Sequence, residues 1–288
     1  MGIVVQIALN IVIDGAVYSL VALGFNLIYS TARFFDLGYG AIIVAGGYAM
    51  FYFYDTLGVP LLPALVLAVV FAGALGFAIE KLVYRPLRKR KATSTVLLIA
   101  SLGVLTVLQA VIAIIFSSQY DTLSRDAGAE RVFNVLGGAI TETQVLMLVA
   151  SLIIMVVLGL ALRYTLFGKA IKAVADDEEV AQIVGINSER LIGLLFFIGA
   201  AVGGVAGIAT GFDTGLQPTL GLPLLLKGII AAIIGGIGSV WGGVMGAFLL
   251  AIVENVGVWY FSSEWRDAIA FAVLTLFLIF RPQGLWPR

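Results

Sequence analysis

Long apolar stretches alternate with short polar segments from the first residues of the chain to the last. A helix of about 20 apolar residues crosses the hydrocarbon core of a bilayer, so each long stretch is a candidate span. We therefore predict an all-α polytopic membrane protein with about nine transmembrane helices, residues 1–288 forming one transmembrane domain. The predicted spans cover residues 3–30, 34–54, 60–82, 94–117, 144–162, 191–212, 222–237, 240–258 and 266–281.

Glycines interrupt the apolar pattern once in each half of the chain. Asp36–Gly40 precedes the pair Gly46 and Gly47, and Gly235–Gly243 (GGIGSVWGG) is too rich in glycine for one continuous helix. Two Gly-broken apolar segments, one in each half, are typical of discontinuous helices around a path at mid-membrane. The seventh and eighth predicted ranges form either two spans or one span and a re-entrant segment.

A second glycine pattern is regular. Gly199, Gly203, Gly207 and Gly211 recur every four residues and so share one helix face. Small residues at this spacing let helix backbones approach closely in lipid. The stripe serves either tight packing within one subunit or a dimerisation face.

The composition of the chain is unlike that of a soluble protein and excludes most functions of soluble enzymes. The chain is 61% hydrophobic and 12% charged, with a mean hydropathy of +1.09 and neither Cys nor His. A soluble protein carries about 25% charged residues. No phosphate-binding loop of the G-x-x-x-x-G-K-[ST] type is present, so the chain has no means of its own to hold ATP. We expect no catalytic residue, no metal site, no bound cofactor and no nucleic-acid partner.

The distribution of Lys and Arg predicts the orientation of the chain. Residues 84–91 contain five basic residues and no acid, which places them in the cytoplasm. Residues 118–143 contain four acids and two basic residues and are expected to be extracytoplasmic. Residues 164–190 then form a cytoplasmic loop. This scheme puts the N-terminus outside and the C-terminus in the cytoplasm.

Polar residues within the spans are candidates for the path. Gln6, Asn10, Asp14 and Tyr18 form one stripe along the first helix. An intramembrane acid points to function by default, and the alternative for Asp14 is an interhelical hydrogen bond that fixes packing.

Lys227 and Glu254 either form a structural ion pair or line the route of a zwitterionic substrate. Asp36, at the first glycine break, is expected to cap a half-helix. The residues that we predict to line the translocation path are Asp14, Tyr18, Asn26, Asp36, Tyr39, Lys227 and Glu254.

The segment 167–191 stands out because it holds eight of the 34 charged residues of the chain. Its spacing predicts two short helices separated by an acidic turn at Asp176 and Asp177, the second helix ending at Gly185. Five acids disfavour contact with an anionic inner leaflet, so docking to a partner protein is favoured over lying on headgroups.

Several segments resemble a known family. They are Tyr18–Tyr29 (YSLVALGFNLIY), Phe35–Ala41 (FDLGYGA), Gly46–Tyr48, Gly168–Ala173 (GKAIKA) through Gly185–Asn187, Leu226–Gly228 through Glu254, and Arg281–Leu285 (RPQGL). Together they resemble a permease subunit of the ABC importers for branched-chain amino acids and related amides. The family usually has an Asn-Phe-Ala-His-Gly-like sequence near Asp36, and losing that His for an acid leaves open whether the substrate is a branched-chain amino acid, urea or a short amide.

The resemblance implies a bacterial or archaeal plasma-membrane importer. Its expected partners are two ATPase subunits that use ATP and Mg, a second and non-identical permease, an extracytoplasmic solute-binding protein and the lipid bilayer. It also implies that the 164–190 loop is the coupling element that docks into the ATPase. The residues expected to carry coupling are Gly168, Lys169, Lys172, Asp176, Asp177, Glu178, Glu179, Ala181, Gly185 and Ile186. The alternative function is an ion-coupled secondary transporter of small polar solutes.

Overall fold

A computed structural model describes residues 2–117, 123, 132–281 and 283–285. Within these residues lie twelve α-helices and one pair of strands. In chain order they are α1 (Gly2–Ala32), α2 (Gly38–Phe51), α3 (Leu61–Ile79), α4 (Arg85–Lys89), α5 (Ser94–Phe116), β1 (Val132–Val135), β2 (Gly138–Thr141), α6 (Glu142–Tyr164), α7 (Leu166–Asp176), α8 (Glu178–Ile183), α9 (Ser188–Asp213), α10 (Gly221–Gly235), α11 (Val240–Tyr260) and α12 (Arg266–Phe280). A π-helical turn, Tyr52–Thr56, extends α2, and another, Glu80–Tyr84, joins α3 to α4. Short 3₁₀ turns, Pro218–Leu220 and Ser263–Trp265, precede α10 and α12.

Each of the nine predicted spans contains a helix, but the count of nine is not confirmed. Among the described residues, seven helical segments are long and apolar enough to cross a membrane. The two others are α2, with 14 residues, and α12, with 15. At 1.5 Å per residue α12 is about 22 Å long, less than the thickness of the hydrocarbon core. The chain is thus a multi-pass helical membrane protein.

Helices α1 and α9 lie at the centre of the bundle. In each of them 78% of the most apolar stretch is buried inside the protein, against 17% in α5 and 22% in α6. α1 packs against α9, α10 and α11, while α9 also packs against α2 and α3. These two helices therefore form the core on which neighbouring helices pack.

The glycine stripe on α9 is used within this chain. A Cβ atom at Gly199 would lie 2.9 Å from the carbonyl oxygen of Gly24 on α1. One at Gly203 would lie 2.7 Å from the ring of Tyr39 on α2. Both distances are shorter than a Cβ atom tolerates to any non-bonded neighbour, so α9 can approach α1 and α2 this closely only with glycine at these positions. The stripe packs inside the subunit and is not a free dimerisation face.

One short hairpin interrupts the otherwise helical structure of the described residues. β1 and β2 pair antiparallel, with Val132 opposite Thr141. Leu136 and Gly137 between them both have positive φ (50° and 91°), as a two-residue type I′ turn requires. This hairpin belongs to the loop predicted over residues 118–143, of which 118–122 and 124–131 lie outside the described residues.

The hairpin and the 164–190 loop contact opposite ends of α1. Near its start, Gln6 accepts a hydrogen bond from the backbone N–H of Ala139 in β2 (2.8 Å). Near its end, Leu27 packs against α7 and α8, which form the 164–190 loop. With 31 residues α1 is about 46 Å long. We call the two ends of the bundle the hairpin end and the loop end.

Candidate functional site

Five charged or polar side chains from four helices meet near the middle of α1. Tyr18 donates a hydrogen bond to Glu254 Oε2 on α11 (2.8 Å), and Lys227 Nζ on α10 lies 3.3 Å from the same oxygen. Arg266 at the start of α12 lies 3.7 Å from this oxygen and forms an ion pair of 2.9 Å with Asp14. Glu254 is fully buried, so the neighbouring cations are needed to stabilise its negative charge. We call this group the central polar cluster.

A cavity of about 160 Å³ opens beside the central polar cluster. Its lining includes two basic residues, Lys227 and Arg266, and three acidic residues, Asp14, Asp213 and Asp267. Its apolar wall is formed by Val17, Leu220 and Leu224. At roughly 30 Å³ per water molecule, the space equals about five waters. The cavity can therefore hold a small molecule with both charges and an apolar group.

For Asp14 and for the Lys227–Glu254 pair, the structure shows which of the expected contacts are formed. Asp14 forms the interhelical contacts of the packing alternative, accepting a hydrogen bond from Asn255 (2.8 Å) in addition to its ion pair with Arg266. Lys227 and Glu254 form the expected ion pair. Asp14 and Lys227 also line the cavity, so each of them both makes an interhelical contact and borders the cavity.

Sequence reasoning missed Arg266, Asn255 and Asp213. Asp213, at the end of α9, accepts a hydrogen bond from Gln144 (2.7 Å) and lines the cavity. Arg266 carried a signal that could have been used, because it is a basic residue at the end where basic residues are rare. Asn255 carried the signal of the other candidates, a polar residue within a predicted span, but its contact with Asp14 depends on how α1 and α11 pack.

Asn26 lies beside the break between α10 and α11 and is not among the residues that line the cavity. It is buried, accepts a hydrogen bond from the N–H of Gly238 (3.0 Å) and donates one to the carbonyl oxygen of Ser239 (3.3 Å). Both partners belong to the break between α10 and α11, which confirms that Gly235–Gly243 is not one continuous helix. The Asn26 side chain satisfies backbone groups that a broken helix leaves free in lipid.

Asp36 and Tyr39 form a second buried group. Asp36 accepts a hydrogen bond from the hydroxyl of Tyr84 (2.6 Å) and faces the N–H groups at the start of α2, which is the position expected of a capping carboxylate. The Leu37 N–H beside it donates to Ser101 on α5 (3.1 Å). Tyr39 is fully buried against α9. The contacts of Asp36 and Tyr39 are separate from those of the central polar cluster.

The 164–190 loop has the predicted helix–turn–helix form. The Asp177 side chain caps α8 by accepting hydrogen bonds from the N–H groups of Glu179 (2.9 Å) and Val180 (3.0 Å). At the other end of α8, Gly185 has φ +91° and its N–H bonds to the Gln182 oxygen, while Ile186 N–H bonds to the Ala181 oxygen (3.0 Å each). This pair of bonds is a Schellman motif, which requires the left-handed residue at its centre.

The ten predicted coupling residues divide between two faces of the loop. Gly168 and Ala181 are buried against the protein itself, and Ile186 is half-buried. The exposed residues are Lys169, Lys172, Asp176, Asp177, Glu178, Glu179 and Gly185. The exposed face also carries Val180, Ile183 and Val184, with exposed fractions of 55%, 83% and 70%. An apolar patch beside acidic residues is typical of a protein contact.

The buried face of the loop packs on the two central helices. Ile171, Val174 and Ala181 form a cluster with Leu27 of α1 and Leu195 of α9. The loop thus packs directly on α1, the helix that also carries Asp14 and Tyr18 of the central polar cluster. Among the residues that the structure describes, no group of three acidic, His or Cys side chains could hold a metal ion.

Comparisons with known proteins agree on one family. The family described as "Branched-chain amino acid transport system / permease component" matches residues 7–278. LivH of Escherichia coli (strain K12), a high-affinity branched-chain amino acid transport system permease protein, is 32% identical over 292 residues, covering 95% of this chain and 92% of the relative. BraD of Pseudomonas aeruginosa, which has the same description, is 30% identical over 286 residues, with the same coverage.

A solved structure shows the same fold. PsaBC from Streptococcus pneumoniae in complex with Fab matches with a TM-score of 0.52 and 14% identity, covering 96% of this chain and 92% of the other. At this identity the likeness concerns the fold alone. The match to the family over nearly the whole chain is the stronger finding, and the chain belongs to the permease-component family of branched-chain amino acid transport systems, as a transport subunit and not an enzyme.

Proposed function

We propose that this chain is the transmembrane permease of an ATP-driven importer for branched-chain or closely related amino acids. The observation that carries the proposal is the cavity beside the central polar cluster. Lys227 and Arg266 are placed to bind a carboxylate, and Asp14 and Asp213 to bind an ammonium group. The apolar wall offers contact to an aliphatic side chain. Urea and short amides carry no charges for these four groups to bind.

The energy source in this proposal lies outside the chain. The sequence has no phosphate-binding loop, so two partner ATPases would bind ATP and Mg and dock on the exposed face of the 164–190 loop. A second, non-identical permease would complete the membrane part, and an extracytoplasmic solute-binding protein would deliver the amino acid. The loop end then faces the cytoplasm of a bacterial or archaeal cell and the N-terminus lies outside.

Movement of the 164–190 loop would reach the cavity through α1. Leu27 and Arg33 attach the end of α1 to α7, and Asp14 and Tyr18 lie three to five turns away on the same helix. A tilt of α1 changes the distance between Asp14 and Arg266 and so alters the cavity. Closure of the ATPases would in this way alternate access from outside to inside.

Reconstitution tests the proposal. The permease is placed in proteoliposomes with and without its partner subunits, and uptake of labelled leucine, isoleucine, valine and urea is measured with ATP supplied to the ATPase side. We expect leucine-type uptake only with ATP, the ATPases and the binding protein. Uptake driven by an ion gradient in the permease alone would overturn the proposal and establish the ion-coupled alternative.

A further inference from the structure

An open groove between α3 and α9 lies at the loop end, away from the central polar cluster. Its volume is about 570 Å³, and its apolar part is lined by Phe77, Leu194 and Phe197. Phe77 and Leu194 are 41% and 45% exposed and belong to segments apolar enough to span a membrane, so they lie on the surface of this chain at membrane depth. No part of the proposed transport path uses this groove.

The mouth of the groove is charged, and its acids are neutralised. Glu80 pairs with Arg88, and Glu189 pairs with Arg85 and with Lys89, the latter at 3.3 Å. Two acids are therefore paired with three basic residues, so these five side chains together carry a net positive charge. The remaining lining residues are not included in that count.

Two further basic side chains line the groove, and neither is held in an ion pair within the described part of the chain. Among the described residues, neither Lys81 nor Arg190 has a carboxylate within ion-pair distance. Both are exposed, and Lys81 Nζ lies 6.0 Å from the centre of the Phe77 ring. Two uncompensated cations at the edge of an apolar groove attract an anion that has an apolar part.

The geometry points to an anionic phospholipid as the occupant of this groove. Its phosphate would lie between Lys81 and Arg190, and an acyl chain would follow α9 past Leu194 to Phe197. Arg190 and Phe197 are seven residues apart, about 10 Å along the helix, which matches passage from the headgroup region into the hydrocarbon. A soluble anion would leave the apolar part of the groove unused. The assignment to the inner leaflet rests on the proposed orientation.

Lipid retention by the purified full-length permease tests the inference. Native mass spectrometry compares retention of phosphatidylglycerol and phosphatidylethanolamine by the wild type and by the double variant Lys81→Ala/Arg190→Ala. The control Arg90→Ala/Arg163→Ala removes two exposed basic residues outside the groove. We expect preferential retention of phosphatidylglycerol in wild type and control, and a loss of about thirtyfold in the double variant, as about 1 kcal/mol per basic residue implies.

Further variants keep the result decisive if the double variant folds poorly. Lys81→Arg/Arg190→Lys preserves both charges and should retain phosphatidylglycerol. Equal retention of the two lipids, or unchanged retention in the double variant, would overturn the inference. Because the chain has no Cys, Leu194→Cys gives a unique attachment point, and its cross-linking in membranes to a second permease would show that protein, not lipid, covers the groove. None of these measurements depends on transport, so their failure leaves the proposed function intact.

Discussion

Arg33, just beyond the end of α1, donates a hydrogen bond to the backbone oxygen of Asp176 at the end of α7, 3.1 Å away. The same guanidinium also donates to the backbone oxygen of Ala175. These carbonyls lie at the C-terminus of a helix, where a cation is favoured. Arg33 thus joins the 164–190 loop to the central helix that carries Asp14 and Tyr18.

Replacing Arg33 with Ala should uncouple the transporter. Hydrogen bonds to charged groups contribute about 1.5–3 kcal/mol, so losing this contact should reduce uptake at least about tenfold while ATP hydrolysis continues. The measurement compares both rates in proteoliposomes with the assembled complex. Arg163→Ala, which removes an exposed Arg at the same end, serves as the control and should keep both rates. A parallel fall of both rates in Arg33→Ala would argue against a coupling role.

Gly185 should tolerate Asn better than Val. Its φ of +91° strains any side chain, but nothing lies within 4 Å of the Cβ position, so the effect comes from the backbone alone. Asn adopts left-handed conformations more readily than a β-branched residue does. We expect Gly185→Val to loosen the end of α8 and to lower uptake several-fold at normal membrane insertion, and Gly185→Asn to retain most uptake. Equal uptake by the two variants would show that the end of α8 is not critical.

The elements that were predictable from sequence are those that local chemistry determines. Asp177 and Gly185 cap α8 as expected, because a capping residue acts within three positions of itself along the chain. Periodic glycines on α9 indicated close helix packing, though only the structure showed that the partners are α1 and α2. The boundaries of α2 were less predictable, since flanking apolar residues such as Phe34 and Phe35 extend the pattern beyond the helix, whereas α12 agrees with its predicted range to within one residue.

The candidate site was only partly predictable because its contacts join residues far apart in sequence. Asp14 and Lys227 were identified as polar residues in apolar surroundings, and both line the cavity. Asn26 is also a polar residue in apolar surroundings, but its side chain forms hydrogen bonds with backbone groups at the break between α10 and α11. The pairing of Asp14 with Arg266 joins α1 to α12 and depends on how four helices pack, which no local pattern encodes.

Asn26 should matter for stability more than for substrate affinity. Its amide bonds to Gly238 and Ser239, and leaving these backbone groups unsatisfied costs about 1–3 kcal/mol. We expect Asn26→Leu to lower the unfolding temperature in detergent and the expression level, with the substrate concentration for half-maximal uptake unchanged. Ser30→Ala, a polar truncation one turn further along α1, should change little. A changed substrate dependence in Asn26→Leu at full stability would instead place Asn26 on the path.

The pair of Lys227 and Glu254 allows structural and transport roles to be separated. Lys227→Met leaves the fully buried Glu254 with only Arg266 as a cation, at 3.7 Å. Breaking a buried ion pair from one side costs about 3–5 kcal/mol, so expression should fall. Removing both charges, in Lys227→Met/Glu254→Gln, should restore much of that stability because no buried charge is left unpaired.

Uptake by this double variant then decides the role of Lys227. If Lys227 binds the carboxylate of the substrate, uptake stays at least about tenfold below wild type although expression recovers, since a charged hydrogen bond to the substrate is missing. If the pair only holds α10 and α11 together, uptake recovers in proportion to the protein in the membrane. Normalising uptake of labelled leucine to membrane-inserted protein distinguishes the two results. Glu264→Gln, which removes an exposed acid that precedes α12 and does not line the cavity, is the control and should leave expression and uptake close to wild type.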